Sequence, residues 1–596
     1  MSLLTKASTV TTPTAYGDGV LNSVKPTDGD GDFDFARASS ATRVNEQGYI
    51  EKERENLLLQ SNTFSNASWN KIRSSVTSGV ADPFGGSNAW SFLTDNTADN
   101  QHYISQVISQ SGVGTLSIYA KPNGYNWLRM RLPSEEAYFD LANGVTGSST
   151  SGISASMTDV GSGWYRCEVA ISDMSTNPNV FIHIAEGDGD IIINGTPSGT
   201  DGVYIYAAQL EQGLVATDYI ETTTSSVAVG ITNDIPRINY EGGIGNFLLE
   251  PQRTNLITQS EYFGAWNEQG TASVTDNQAI SPEGVQNAAL LDLGATSGGF
   301  NRIDINASIS AGIDYVFSVF VKNIDVDNIT ISNFESGNYQ IANFDLVNGL
   351  NRSIESSFIE DYGNNWWRIA FVLNTNTATT ANLRIQPSLN ASYPSQGEQF
   401  YIYGATLEEG SYATSYIPSF GSAVTRAAET CNNAGNSDLF NDSEGVLYVE
   451  IAALVDDLTQ RHISISDGTI VNVVRIHYHT SSNSIRGQVR AGGSIQASLT
   501  HIVPDIKDFH KVAISYKEND VKLYVDGVLV LTDTSASMPT GLDELSFDRG
   551  DASLEFYGKT KMVSTFTEAL SDSELECLTS WSSFNRMATA QNYTIE

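Results

Sequence analysis

Apolar and polar side chains alternate with a period of two along much of the chain. In 164–171, Tyr165, Cys167, Val169 and Ile171 form one apolar set, while Trp164, Arg166 and Glu168 fall on the other side, as in a strand with one face against a core. In 366–373 the inward set is Trp367, Ile369, Phe371 and Leu373, with Trp366 and Arg368 outward. Leu116, Ile118 and Ala120 likewise face in, and Tyr119 and Lys121 out. Such runs, cut by Gly, Asn, Asp and Ser, predict antiparallel β-sandwiches. From about residue 444 strands are predicted at closer spacing, over 446–452, 463–466, 471–478, 484–489, 511–516, 521–525, 545–547 and 554–557. Asp526-Gly527 sets a hairpin turn. Ser571, with Glu574 three residues on, opens a short helix over 570–575.

The pattern also repeats as a block. The frame Asn-Leu-x-x-Gln-Ser-x-x-Phe at Asn56–Phe64 returns at Asn255–Phe263, and each copy leads to a Trp-Asn pair, Trp69-Asn70 and Trp266-Asn267. Tyr119-Ala120-Lys121 returns as Phe320-Val321-Lys322, Phe139–Gly144 as Phe344–Gly349, Trp164-Tyr165-Arg166 as Trp366-Trp367-Arg368, and Tyr204-Ile205-Tyr206 as Tyr401-Ile402-Tyr403. The order never changes over a spacing of roughly 200 residues, so one whole domain is duplicated in tandem. This divides the chain into an arm (1–55), a first domain (56–222), a linker (223–254), its twin (255–420), a second linker (421–443) and a sandwich of another kind (444–596). The arm, polar and weakly periodic, reads as an extended segment that either docks or lies across a neighbouring domain.

Composition narrows the function. With 596 residues, core burial is not limiting. A net charge of −37 disfavours nucleic acid and anionic membranes as partners, and no stretch reaches the length of a spanning helix. The start Met1-Ser2-Leu3-Leu4-Thr5-Lys6 has no apolar h-region, so no signal peptide is expected. Cys167, Cys431 and Cys577 lie too far apart for a disulfide framework or a zinc cluster.

Candidate chemistry lies on the outward positions. Tyr119, Lys121, Trp164 and Arg166, with their twins Phe320, Lys322, Trp366 and Arg368, combine rings with cations, and sugars stack their C–H faces on rings while polar groups take the hydroxyls. The alternative is that a loop or the other twin covers this face and the arginines stack on rings as ordinary packing. Tyr125 and Trp127, in a looser segment without aromatic counterparts near 327–330, are further ligand candidates. No cofactor is expected beyond a structural calcium, for which Asp188 and Asp190 are candidates. Asp28-Gly29-Asp30-Gly31-Asp32 resembles a calcium loop, but Ser39 stands where an EF-hand needs Glu. His477 and His479 share a strand face; exposed histidines without a third ligand are expected there. No catalytic motif appears, so no enzymatic activity is expected.

On the Trp-Tyr-Arg strand and the strand Val203–Glu211, the twin domains resemble carbohydrate-binding-module jelly rolls. Val512–Tyr516, Tyr524–Gly527 and the helix over 570–575 make the last domain look like a laminin-G or concanavalin-A-like lectin domain. Phe33–Asn45 and Asp234–Tyr240, the latter followed by Leu248–Leu256, look like the openings of tailed-bacteriophage fibre or decoration proteins, here with the first jelly roll inserted between them. The resemblances imply an all-β protein: tandem antiparallel jelly rolls, a C-terminal concanavalin-A-like sandwich and an extended N-terminal arm. They further imply a structural component of the virion exterior, made in the host cytoplasm. It would contact other virion proteins through its arm, bind host-surface glycans and form a homo-oligomer, a trimer. A capsid-decorating protein without sugar binding and a polysaccharide depolymerase are the rival readings.

Overall fold

A computed structural model describes residues 3–132, 135–150, 152, 154–174, 179–295, 301–335, 338–353, 356–375, 377–387 and 397–580. Residues 581–596, the end of the last domain as read from the sequence, lie outside the described residues. The chain is all-β and forms two compact units, one of residues 52–230 and 254–424, the other of residues 1–51, 231–253 and 425–596.

The first unit holds the twins. Each is a jelly roll of two six-stranded sheets. In the first roll, one sheet runs Ser154–Gly161, Trp164–Ile171, Gly114–Asn123, Gly202–Gln212, Ala89–Thr94, Ser74–Val80. The other runs Val145–Ser149, Glu135–Asp140, Trp127–Leu132, Asn179–Ala185, His102–Val107, Asn70–Ile72. The second roll repeats both orders strand for strand. The cores fill from alternate positions as the pattern predicts. Leu116, Ile118, Cys167, Val169 and Ile171 from one sheet meet Leu128, Met130, Ile182 and Ile184 from the other. Phe317, Val319, Ile369 and Phe371 meet Ile329, Ile331, Leu383 and Ile385 in the twin.

The repeated Asn-Leu-x-x-Gln-Ser frame is a structural clasp. The buried Asn56 side chain donates to Ala208 O and Ile220 O and accepts from Leu58 N and Leu210 N. Asn255 makes the same four bonds, with Ala405 O, Ile417 O, Ile257 N and Leu407 N. Ser61 Oγ lies 2.6 Å from Tyr219 Oη, and Ser260 Oγ 2.8 Å from Tyr416 Oη. Phe64 packs on Trp69 and Phe263 on Trp266, with centroids 5.2 and 5.1 Å apart. These residues tie the entering chain to the closing strand, so buried backbone groups that would lack partners are satisfied.

The rolls are locked together. Lys52 and Arg54 reach the twin's buried Glu283, each at 2.9 Å. Gly112, at φ +83°, lies where a Cβ would come 1.3 Å from Phe420 O, so only glycine allows that approach.

The second unit is a sandwich of an eight-stranded and a five-stranded sheet, built from three separated segments. This corrects the arm and linkers inferred from the sequence. Thr9–Thr11 pairs with one end of Gly558–Phe566 (Thr9 opposite Thr565) and Phe247–Leu249 with the other (Phe247 opposite Thr560), covering an edge that would otherwise be open. Phe33–Ala36 pairs with Thr430–Asn432, and Phe33, Phe35, Phe247 and Leu249 enter the same core as Leu447, Ile476 and Ile514. An arm too short to bury a core of its own completes this one, so of the two roles expected of it the packing across another domain is the one seen.

Where the segments converge, Arg37, Arg237 and Arg426 meet Glu250 and Glu429, with all five side chains at most 3% exposed. Glu429 accepts from Arg37 Nη1 at 2.8 Å, Arg237 Nε at 2.9 Å and Glu250 N at 2.8 Å. The Asp526-Gly527 turn has φ +49° and +85°, as a type I′ hairpin requires. Ser571 N–H donates to the Glu574 carboxylate in the capping box of the helix Asp572–Thr579.

Candidate ligand-binding faces

Each roll has two outward sheet faces, and the predicted ligand set lies on the covered one. In the first roll, Trp164 is 2% and Tyr119 7% exposed. Phe84 packs edge-on against Tyr119 at 5.5 Å, and Tyr206 and Tyr219 extend the cluster. The Arg166 guanidinium lies 5.6 Å from the Tyr119 ring, donates to Ser117 Oγ and Thr217 O, and pairs with Glu168 at 3.2 Å. Lys121 donates to Ser162 O at 2.6 Å. In the twin, Phe320, Trp366 and Arg368 are buried. Tyr362, Tyr403 and Tyr416 surround Phe320, Arg368 stacks on it at 5.5 Å, and Trp366 Nε1 donates to Ile280 O. Lys322 is half-buried. The rings are spent on packing, so Tyr119, Trp164, Phe320, Trp366 and Arg368 offer no surface for a sugar. A crossing loop covers the face, and strand alternation cannot show that.

The opposite sheet of each roll is the better candidate. In the first roll, Leu128, Met130, Ile182 and Ile184 point to the core, which turns Trp127, Arg129, Arg131, Phe181 and His183 outward. Neighbouring strands add Tyr103 and Tyr138 through the pairs Tyr103 opposite His183 and Arg129 opposite Tyr138. Tyr103 lies 5.5 Å from Phe181 and 4.8 Å from His183, and Arg131 sits over Phe181 at 5.4 Å. Burial and the nearby Arg129 and Arg131 hold His183 well below the usual imidazole range, so it is neutral. Neither of its ring nitrogens has a partner among the described residues. Half-buried Trp127 belongs to this face, whereas Tyr125 packs against the core.

The twin's equivalent face is more polar. Phe334 and Tyr339 are 45% and 38% exposed, with centroids 6.1 Å apart. Arg384 stacks over Phe334 at 4.2 Å and donates to Asn382 Oδ1 at 2.6 Å, and Gln386 Nε2 donates to Tyr339 Oη at 3.2 Å. An exposed ring with a flat cation on it and amides alongside is a stacking platform with hydroxyl partners. The sequence signal for these residues was the alternation of Phe181-Ile182-His183 and of Asn382-Leu383-Arg384. That signal is as strong as in the strands of the covered face; half-buried Tyr103, Trp127, Arg131 and Phe181 and exposed Phe334 and Tyr339 set this sheet apart, although Arg129, Tyr138 and His183 are buried.

The remaining candidates resolve differently. Asp188 Oδ1 accepts from Ser148 N and Oγ, each at 2.7 Å, and Asp32 accepts from Asn22 and Ser23; Asp190 closes a turn onto Gly187. No group of three metal-ligating side chains occurs among the described residues. His477 is not exposed. It is 1% accessible and stacks on His462 with centroids 4.3 Å apart, with half-buried His479 at 6.5 Å. Cys167 and Cys431 are buried and Cys577 is exposed, all as free thiols.

No family model and no curated protein matches the chain. Among solved structures it is similar to the carbohydrate-binding module CBM40 of the Ruminococcus gnavus IT-sialidase bound to α2,3-sialyllactose (16% identity, 25% of this chain and 93% of that one, TM-score 0.22). It is also similar to the tandem CBM22-1–CBM22-2 domains of Paenibacillus barcinonensis Xyn10C (11%, 63% and 100%, 0.20). A third similarity is to domains LG4-5 of the mouse laminin α1 chain (10%, 47% and 93%, 0.17).

Proposed function

We propose that this is a non-enzymatic glycan-binding protein of the exterior of a tailed-bacteriophage particle, acting in attachment to the host surface. The observation that carries the glycan part is the open Phe334–Arg384–Tyr339 platform, matched on the same sheet of the first roll by Tyr103, Phe181 and Arg131. Each is a shallow site in which a sugar ring stacks on an aromatic face while guanidinium and amide groups take its hydroxyls. Two such faces per chain, multiplied in a trimer, convert weak contacts into firm adhesion through effective concentration. The virion part is supported by the two lead-in sequences lying together within one unit. Ala41 N–H donates to Ile231 O, Tyr240 N–H to Val44 O, and Arg37 to Ile235 O.

The test is a glycan array probed with the full chain, alongside Phe334→Ala/Arg384→Ala and Phe181→Ala/Arg131→Ala. Binding to host-type saccharides that falls about tenfold or more in one double variant supports the proposal. Binding unchanged in both removes these faces from the account. Reducing-end release from host polysaccharide would replace the non-enzymatic reading with a depolymerase. Light scattering after size exclusion decides the trimer.

A further inference from the structure

The five-stranded sheet of the second unit carries a basic face that the glycan reading does not use. Its inward residues, Val474, Ile476, Tyr478, Ile485, Val489 and Leu499, lie in the core. The residues between them therefore point to the sheet's other side in two rows across the strands, with His462, His477, Ser464, Arg475 and Gln488 buried there and Arg486 and Arg490 half-buried at its rim. One row runs His462, His477, Arg486, Thr500, and the next runs Ser464, Arg475, Gln488, Ser498. Arg490 follows one step further along.

In a chain of net charge −37, three arginines gather on this face, with Glu544 at its edge and Asp548, Asp551 and Glu555 in the adjoining loop. Arg475, Arg486 and Arg490 form no ion pair among the described residues. Arg475 gives Nε and Nη2 to the neutral Gln488 Oε1 and Nη1 to Arg549 O at 3.4 Å. Arg486 uses Nε on Thr500 Oγ1 at 2.7 Å, and Arg490 uses Nη2 on Gly493 O at 2.7 Å. The nearby Asp551 is taken by Arg549 at 2.7 Å. Burial, with repulsion from Arg490 and Arg549, brings Arg475 down to about 10, the mark of a cation short of counter-charge. The stacked His462 and His477 are buried, and both nitrogens of His462 and Nδ1 of His477 lack hydrogen-bond partners. Burial and their cationic neighbours keep both neutral. Buried polar atoms left open beside unpaired guanidinium groups form a site built for an acceptor that comes from outside the chain.

We propose that this face binds an oxyanion, sulfate or carboxylate, carried on an acidic saccharide polymer, with the half-buried Arg486 and Arg490 donating to it and Arg475 adding its charge from beneath. Guanidinium forks match the geometry of both groups. A saccharide is favoured over single-stranded nucleic acid because no Phe, Tyr or Trp stands at an outward position of these strands, and bases need rings to stack on.

Isothermal titration of the full chain with dextran sulfate, polygalacturonate, neutral dextran and an oligothymidylate tests this. At least one acidic polysaccharide binds, more weakly as salt rises from about 50 to about 200 mM, and Arg475→Gln/Arg486→Gln lowers its affinity about tenfold or more. Arg475→Lys/Arg486→Lys, which keeps the charge, retains part of the binding, and Lys517→Gln, which removes an exposed cation of the same unit away from this face, leaves it unchanged. Should the glutamine pair fail to fold, the rim variant Arg490→Gln takes its place, with a salt slope about one unit shallower than the parent's. Binding of inorganic sulfate with neither polymer, preference for the oligothymidylate, or polymer binding indifferent to all arginine variants overturns the proposal.

Discussion

Replacing Glu429 with Gln tests whether the second unit is one fold assembled from three distant segments. The carboxylate accepts hydrogen bonds from Arg37, Arg237 and the Glu250 amide, and its side chain is fully buried. Glutamine keeps the shape but removes the charge, and its amide nitrogen faces guanidinium donors. Three buried guanidinium groups, of Arg37, Arg237 and Arg426, are then left with the single carboxylate of Glu250. Breaking a buried pair by removing one partner costs about 3–5 kcal/mol, because the remaining charge stays buried without compensation. At tenfold per 1.4 kcal/mol, amide hydrogen exchange governed by opening of this unit should accelerate roughly 100- to 5,000-fold. Mass spectrometry of exchange in peptides covering Thr9–Thr11, Phe247–Leu249 and Glu444–Ala453 reads this, with peptides of Gly114–Asn123 as the internal reference. If all three segments speed up together, they share one cooperative fold. Acceleration in Glu444–Ala453 alone, or none anywhere, would refute the reasoning.

Further outcomes follow from other buried groups. Asn56→Ala and Asn255→Ala each leave two amides and two carbonyls without their side-chain partner. At about 1–3 kcal/mol per group left unsatisfied, each should lower the guanidinium midpoint of tryptophan-monitored unfolding, and by similar amounts because the clasps match. Gly112→Ala should destabilise the paired rolls far more than Gly79→Ala. Both sites have positive φ, but a Cβ at Gly79 meets nothing within 4 Å while one at Gly112 meets Phe420 O. Glu555 is raised to about 7, by burial first and then by Asp548 and Asp551. Its folded value lies above the unfolded one, so the folded state holds the extra proton between about 4.5 and 7, and stability falls as pH rises through that window. Exchange protection of Glu444–Ala453 in Glu555→Gln should accordingly depend less on pH there than in the parent.

The sequence made the layers legible, and covering and nesting were not. Alternation placed Cys167, Val169 and Ile171 inward and Trp164 and Arg166 outward, as found, because period-two patterning reports which side of a pleat meets apolar matter. It does not report what lies on the other side. Phe84, far from Tyr119 in sequence, closes one face, while Phe181 and His183 alternate just as regularly on a sheet that the pattern does not distinguish. His477 was read as exposed for the same reason, since its partner His462 sits on an adjacent strand. Asp526-Gly527 and Ser571 with Glu574 were readable because turn and cap chemistry is local. The union of residues 1–51 with 231–253 and 425–580 was not, because each strand added there is two to four residues long and its partner can be more than 500 residues away, as for Thr9 and Thr565.

The duplication itself argues where ligand contact has been placed. The twins share sheet order, the four-bond asparagine clasp and the Phe–Trp pair, which are what a jelly roll needs in order to close. The covered face is also kept, with Arg166 on Tyr119 in one copy and Arg368 on Phe320 in the other. On the opposite face the register equates Tyr103 with Arg302, Phe181 with Arg384 and His183 with Gln386, and no pair agrees in chemistry. A face retained only for folding would keep its ring-and-cation packing in both copies, as the covered one does. The covered strands keep their pairing although the loop over them changes from Phe84 to Glu283, whereas the opposite sheet keeps none of those outward pairs, as two different ligands would produce. The first roll's ring cluster therefore suits the apolar face of a saccharide, and the twin's amide-rich platform suits its hydroxyl edge. The two double variants on the glycan array should lose different saccharides, and loss of the same set from both would show that the faces act as one.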